Sequence, residues 1–294
     1  LDSGFYMVPS AQWGFASSPV IFEGKVIVQC DILPDSPSDD EAADAEDEAP
    51  DGESEPNFGD SFLVALDVRT GEELWRTPRQ DVPTWSTPTV DVREGRRQVI
   101  VNGLHHMGGY DVDSGAELWK LSGGGDIPVP TPVVAGDLVF LTNAHGMMAP
   151  IYAVKATATG TVSMNGEGEE HMAWFKRSRG NYMQTPLVYG PFLYCCADGG
   201  ILACYDAETG DELYRERLGG GQTGFTASLV ASDGKLYATA EAGEIYVIPA
   251  ADQFEVMAVN DMGEECMASP AVSEGTIFWR GRRHLFAVGL DGEG

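Results

Sequence analysis

Lysine is scarce in this chain: only Lys25, Lys120, Lys155, Lys176 and Lys235 occur in 294 residues. All Lys and Arg together number 18, against 46 acids, for a formal charge of −28. Such a surface repels nucleic acid and anionic lipid, which excludes functions that rest on gripping polyanions. It suits a basic partner, bound cations or a saline habitat. Cysteine is sparse and irregular. Cys30, Cys195, Cys196, Cys204 and Cys266 form an odd set without regular spacing, so they write no disulfide framework. There is no C-x-x-C and no His-x-x-x-His, which excludes the usual structural zinc patterns. No apolar run approaches the roughly 18 residues that a membrane helix requires. The opening Leu1-Asp2-Ser3-Gly4 is no signal peptide, and a removed leader or a lipid anchor stays open. No Gly-x-Ser-x-Gly elbow is present, and the runs Gly123–Gly125 and Gly219–Gly221 open no helical pattern, so they are not phosphate loops.

What is present is a repeat. A small residue at the head of a strand returns at Ser18-Pro19, Thr87-Pro88, Thr131-Pro132, Thr185-Pro186, Ala227-Ser228 and Ser269-Pro270. Each is followed by an alternating strand and then a turn such as Glu23-Gly24, Glu94-Gly95 or Asp233-Gly234, which reads as a hairpin. A third strand then runs into Asp-x-x-Ser/Thr-Gly and a fourth strand that ends in an aromatic. The fullest copy holds Ala65, Asp67, Thr70, Gly71 and Trp75; others hold Asp111, Gly115 and Trp119, and Asp206, Gly210 and Tyr214. The Asp can accept backbone N–H groups, and the Gly takes a left-handed turn. Trp75, Trp119, Trp174 and Tyr214 offer flat surfaces for packing between units. Strand-only repeats of about forty residues predict a β-propeller of four-stranded antiparallel blades.

Six entry points predict six blades over residues 1–294 as one domain, or seven or eight if the chain is trimmed. The last repeat lacks a fourth strand, and Phe5-Tyr6-Met7-Val8 is the candidate that joins it and closes the ring. Residues 34–60 form an acidic insertion with twelve Asp and Glu, too polar to build a core. Its carboxylates suit Ca²⁺ in kind, but the spacing is not that of an EF-hand loop. A second insertion, 157–170, is expected to lengthen the outer hairpin of the third blade.

The pattern Ala-x-Asp-x-x-Thr-Gly-x-x-x-Trp at Ala65–Trp75 resembles the quinoprotein-like, or PQQ-like, β-propeller repeat. The resemblance spans nearly the whole chain and is similar to that of outer-membrane assembly lipoprotein-type propellers. It implies export to the periplasm or beyond. It also implies two alternatives for function: a non-catalytic binding scaffold, or an oxidoreductase using pyrroloquinoline quinone with Ca²⁺. The dehydrogenases of this type use a disulfide between adjacent cysteines, and Cys195-Cys196 are adjacent. They lie in a strand, however, where neighbours point to opposite faces, which disfavours the bridge. No acid can be matched to the calcium or base positions. The expectation is therefore a scaffold without a cofactor.

In a propeller, the loops from strand two to strand three share one face with the loops between blades. That face should carry Trp13, Trp85, Arg177, Arg179, Tyr182 and Phe225 from the second kind of loop, and His105, His106, His145 and Arg282 from the first. Loops on a rigid scaffold commonly carry function. The His could hold a transition metal. The His, Trp and Arg could instead line a mouth for a protein or a small extracellular ligand, with Trp13, Trp85 and His145 converging.

Overall fold

The structure, a computed structural model, describes residues 17–32, 60–125, 127–145, 148–221 and 223–289. It is all-β, as the repeat requires. Six antiparallel sheets follow one another along the chain among these residues. The first holds β1 (Val20–Phe22), β2 (Lys25–Cys30), β3 (Phe62–Asp67) and β4 (Glu73–Pro78). The second holds β5 (Thr89–Arg93), β6 (Arg96–Val101), β7 (Met107–Asp111) and β8 (Glu117–Leu121). The third holds β9 (Val133–Ala135), β10 (Leu138–Thr142) and β11 (Ile151–Lys155) and, after β12 (Gly160–Thr161), ends with β13 (Met172–Lys176). The fourth runs β14 (Leu187–Tyr189), β15 (Phe192–Cys196), β16 (Ile201–Asp206) and β17 (Glu212–Arg217). The fifth runs β18 (Val230–Ser232), β19 (Lys235–Thr239), β20 (Glu244–Pro249) and β21 (Ala258–Asp261). The sixth holds β22 (Ala271–Ser273), β23 (Thr276–Arg280) and β24 (Leu285–Gly289).

The first hairpin of each sheet turns where the sequence places it. Glu23-Gly24, Asp233-Gly234 and Glu274-Gly275 all have positive φ at both residues, the twist that matches two right-twisted strands. The repeat motif folds alike in three sheets. Asp67 Oδ1 accepts the amides of Arg69 and Thr70 at 2.8 and 2.9 Å. Asp111 does the same for Asp113 and Ser114, and Asp206 for Glu208 and Thr209. The amide of Thr70, then that of Arg69, holds the Asp67 carboxyl below its ordinary pKa. A bulge in the pairing of the third and fourth strands sits beside each turn, at Ala65/Leu66, Gly109/Tyr110 and Cys204/Tyr205, and recurs at Ala153/Val154 where the motif is lost.

The motif also works between sheets. The Trp75 indole of the first sheet donates to the Val112 carbonyl in the turn of the second, at 3.1 Å. Its ring lies so close to Gly115 that a Cβ there would fall 2.5 Å from Cε3. Trp174 of the third sheet repeats both contacts, with the Ala207 carbonyl at 3.0 Å and Gly210 beneath its ring. Trp75 and Trp174 thus each seat on the glycine turn of the following sheet. Trp119 meets a third sheet without that turn. Its indole instead donates to Gln98 at 3.1 Å, and Gln98 holds the Ala156 carbonyl of the third sheet at 2.9 Å. At the inner strands, the small entry residues form a second seam. The Ser18 amide donates to the Thr87 hydroxyl, Thr131 to Thr185, Thr185 to Ser228 and Ser228 to Ser269, at 2.9–3.2 Å. Ser228 Oγ takes this place in the fifth sheet, where the entry pair is Ala227-Ser228.

One expectation changes. The insertion 157–170 does not simply lengthen its own hairpin. Its strand β12 pairs in parallel with β8, so the third repeat adds a fifth strand to the second sheet. Ala156, Ala158 and Val162 are buried there against Trp119 and Leu121, a gain that a lone surface hairpin would not give. The sixth sheet has three strands among the described residues, and Leu285 and Val288 on β24 stay exposed. The expected closing strand Phe5–Val8 and the acidic insertion, apart from Asp60, lie outside the described residues.

Gly24 and Gly115 have nearly equal positive φ, 78° and 73°, but only Gly115 has an indole against it. Both alanine variants meet the same backbone strain, about 1 kcal/mol. Gly115→Ala must also displace Trp75 and should cost about 1–3 kcal/mol more. Urea denaturation of the two variants reads the difference. Equal losses would contradict the seating of Trp75 on Gly115.

Candidate functional site

On the loop face of the first three sheets, the chain buries a set of charges that the sequence alone does not single out. Arg79 follows β4 and Asp31 follows β2, so strand ends bring both to this face. The two are fully buried and ion-paired at 2.9 Å. Asp81 lies 3.4 Å from the same guanidinium, and the Arg79 Nη1 donates to Tyr110 Oη at 3.0 Å. Asp81 Oδ1 and Oδ2 also accept the amides of Val82, Leu104, His105 and His106 at 2.9–3.2 Å. Asp81 therefore pins the loop that bears two of the candidate histidines. Gly103 is required here, because any Cβ at that position would occupy the place of the Asp81 carboxylate.

Burial is the largest single influence and opposes the charge on Arg79, but Asp31, Tyr110 and Asp81 together outweigh it and raise the pKa. Burial pushes Asp81 up, against the pull of Arg79. His106 is pushed down, first by burial and then by Arg79. Its Nε2 faces Glu117 and lies 3.1 Å from Tyr110 Oη, while its Nδ1 accepts the Gln80 amide.

A chain of amides carries this order to the neighbouring loops. Gln29 Nε2 bonds Asp31 at 2.6 Å, Thr84 at 2.9 Å and the Asn102 carbonyl at 2.9 Å. Asn102 Nδ2 holds the carbonyls of Pro130 and Thr142, and Asn143 Nδ2 holds that of Gly103 at 2.7 Å. The Gly125 amide donates to Asn143 Oδ1, and the Asn181 amide to Thr142 Oγ1. The loops that carry Trp85, His105, His145 and Tyr182 are thus tied into one hydrogen-bonded lattice. Most polar atoms of this network are paired, while Gln29 Oε1 and Asn181 Oδ1 are buried without a hydrogen-bond partner among the described residues.

Several expected site residues sit on this lattice. Trp85 is half-buried, and its amide donates to the Pro128 carbonyl at 2.9 Å. His105 and His145 are exposed, and the His145 ring lies 5.3 Å from that of Tyr182. Others are elsewhere. Phe225 is 1 % exposed and packs on Tyr246 in the core, so it cannot line an open mouth; an aromatic in a Gly-rich loop served packing, not contact with solvent. Arg179 lies 3.7 Å from Glu212 on the outer strand of the next sheet, and Arg177 is exposed close by. Arg282 pairs with Glu265 at 2.9 Å on the loops of the fifth and sixth sheets. Trp13 lies outside the described residues, so the convergence of Trp13, Trp85 and His145 stays an expectation.

Among the described residues, no three His, Cys, Asp or Glu side chains gather as a metal-ion site. His106 turns its ring to Glu117 and Tyr110. The adjacent cysteines lie on opposite faces of β15. Cys195 sits in the cluster with Phe140 and Trp174, Cys196 in that with Phe225 and Leu236, and both thiols are free. Burial raises both pKa values, that of Cys196 to about 12, so neither is a ready nucleophile.

Residues 59–167 match the family model described as outer membrane protein assembly factor BamB. No curated protein matches the chain in sequence. Among solved structures, the computationally designed Ika8 protein superposes with a TM-score of 0.60 at 14% identity, covering 95% of this chain and 72% of its own. Quinohemoprotein alcohol dehydrogenase from Comamonas testosteroni gives 0.52 at 12% identity, over 84% of this chain. This chain spans only 43% of that enzyme. BamB from Moraxella catarrhalis gives 0.49 at 14% identity, over 96% of this chain and 88% of its own. The fold is that of a PQQ-like β-propeller.

Arg79→Met would leave Asp31 and Asp81 buried without their cation, a loss of about 3–5 kcal/mol. A carboxylate whose folded pKa lies above its unfolded value takes up protons first in the folded state. The penalty should therefore be largest at neutral pH and shrink as pH falls toward the ordinary carboxylate range near 4. Urea denaturation of wild type and variant at pH 7.5 and 5.0 checks both statements. A deficit that is constant or grows in acid contradicts them.

Proposed function

Taking the chain as a propeller of the PQQ-like type, we propose that it is a non-catalytic scaffold that binds a protein through the loop face of its first three sheets. The observation that carries this reading is the lattice from Asp31 and Arg79 to Asn143 and Asn181. It holds loops bearing Trp85, His105, His145 and Tyr182 in fixed register. A rigid loop platform lowers the ordering cost of binding, and Trp and Tyr are the side chains that most often anchor interfaces. The match of residues 59–167 to an outer membrane assembly factor supports a protein partner over a small ligand, and supports export to the periplasm. No helix among the described residues is long and apolar enough to cross a membrane.

The opposite placement of Cys195 and Cys196 weighs against quinone chemistry of the dehydrogenase type. The test is chemical cross-linking in the native host, followed by purification of the bound protein and titration against Trp85→Ala/His145→Ala. The double variant should keep the wild-type melting temperature and bind at least tenfold more weakly. Elemental analysis and an absorbance scan of the native protein run beside it. A stoichiometric metal or a quinone band, or unchanged partner affinity in the double variant, would overturn the scaffold reading.

A further inference from the structure

The face opposite the loops carries the hairpin turns, and there the junctions between sheets are not alike. Between the first and second sheets, Lys25 reaches Asp113 of the next turn at 3.0 Å, and Arg97 joins both Glu23 and Asp113. Between the second and third, Arg93 reaches Asp137 at 3.2 Å and the Gly136 carbonyl, and Arg96 holds the Ala158 carbonyl at 2.6 Å. A basic side chain closes each of these two seams. Between the third and fourth sheets the equivalent turn reads Gly136-Asp137-Leu138, and no ion pair joins it to the turn at Asp206–Glu208 among the described residues. A cleft of about 970 Å³ opens there instead. Its floor is apolar, with Leu138, Phe140, Met172 and Val188 over the cluster that contains Trp174. Its rim carries Asp137, which Arg93 also reaches, Asp206, whose Oδ1 holds its own turn, and the exposed Glu208, against one lining base, Lys155.

We propose that this cleft is a second binding site, which takes an extended peptide segment of a partner protein that pairs large apolar side chains with Lys or Arg. The partner's cation would cross the rim where Lys25 and Arg93 cross the neighbouring seams, and its apolar neighbours would cover Leu138, Phe140 and Val188. The volume suits a short segment and lies in the range of specific ligand pockets. Three acids on the rim, on a chain of charge −28, select against acidic segments and speed capture of basic ones. The site is separate from the loop face and does not rest on the function proposed above.

The test is fluorescence anisotropy of the full chain with a labelled peptide of alternating Leu or Phe and Lys, set against a peptide with Glu in place of each Lys. The basic peptide should bind, with affinity falling as salt rises, and the acidic one should bind at least tenfold more weakly. Glu208→Lys reverses an exposed rim charge without touching the Arg93–Asp137 pair and should reduce basic-peptide affinity severalfold with an unchanged melting temperature. Trp85→Ala/His145→Ala, on the far face, should leave it unchanged. The proposal fails if the basic peptide does not bind, if both peptides bind equally, or if rim reversal has no effect. It fails too if a small cationic amphiphile without a peptide backbone binds as well as the peptide.

Discussion

The seating of an outer-strand tryptophan on the glycine turn of the next sheet is the contact from which the rest of this molecule follows. A single four-stranded sheet has two faces and two edges to hide, and it cannot do so alone. Trp75 and Trp174 each cover part of the neighbouring sheet and bond its turn, so one residue type supplies both apolar area and register. The motif Asp-x-x-Thr-Gly is therefore half of an intermolecular-style joint within one chain. Asp shapes the turn, Gly clears space for the indole, and the carbonyl after Asp receives the indole N–H. Repetition of this joint, with the hydroxyl seam at the entry residues, sets consecutive sheets side by side and their loops on common faces.

Two consequences follow for where function can lie. Loops on one face inherit the precision of the joints beneath them, and a buried Arg with two Asp fixes them further. Buried ion pairs of this type contribute little net stability compared with apolar packing, but removing one partner is costly. Their presence under Trp85, His105 and His145 is more readily understood as holding a particular loop geometry. On the opposite face, the joints differ in their closing cations. Where the third sheet loses the motif and offers Asp137 in place of a basic residue, the seam gapes over an apolar floor. Degeneration of a repeat thus leaves a feature with its own chemistry.

Much of the fold was legible in the sequence because it repeats. The hairpin turns, four strands per unit, the motif Asp in its turn and the inter-sheet Trp all follow from periodicity and residue type. Individual departures were not legible. The strand Gly160–Thr161 is too short and polar to announce parallel pairing with Trp119 and Lys120. The candidate site was readable only as a set of loop residues. His105, His145 and Tyr182 lie in loops that the amide lattice ties together, whereas Phe225 went to the core. Arg79, Asp31 and Asp81 escaped notice because a charged residue in a loop reads as solvated, and only the meeting of three distant loops buries it. The cleft at Leu138 and Val188 was illegible for a related reason: a cavity is defined by what two sheets fail to fill.

The central claim is that tryptophan and glycine in consecutive sheets act as one joint. A double-mutant cycle of Trp75→Phe with Gly115→Ala tests it most directly. If the indole seats on Gly115, the second substitution costs less once the first has been made, with a coupling of about 1 kcal/mol or more. Strictly additive losses would mean that the two residues act independently, and would contradict the account.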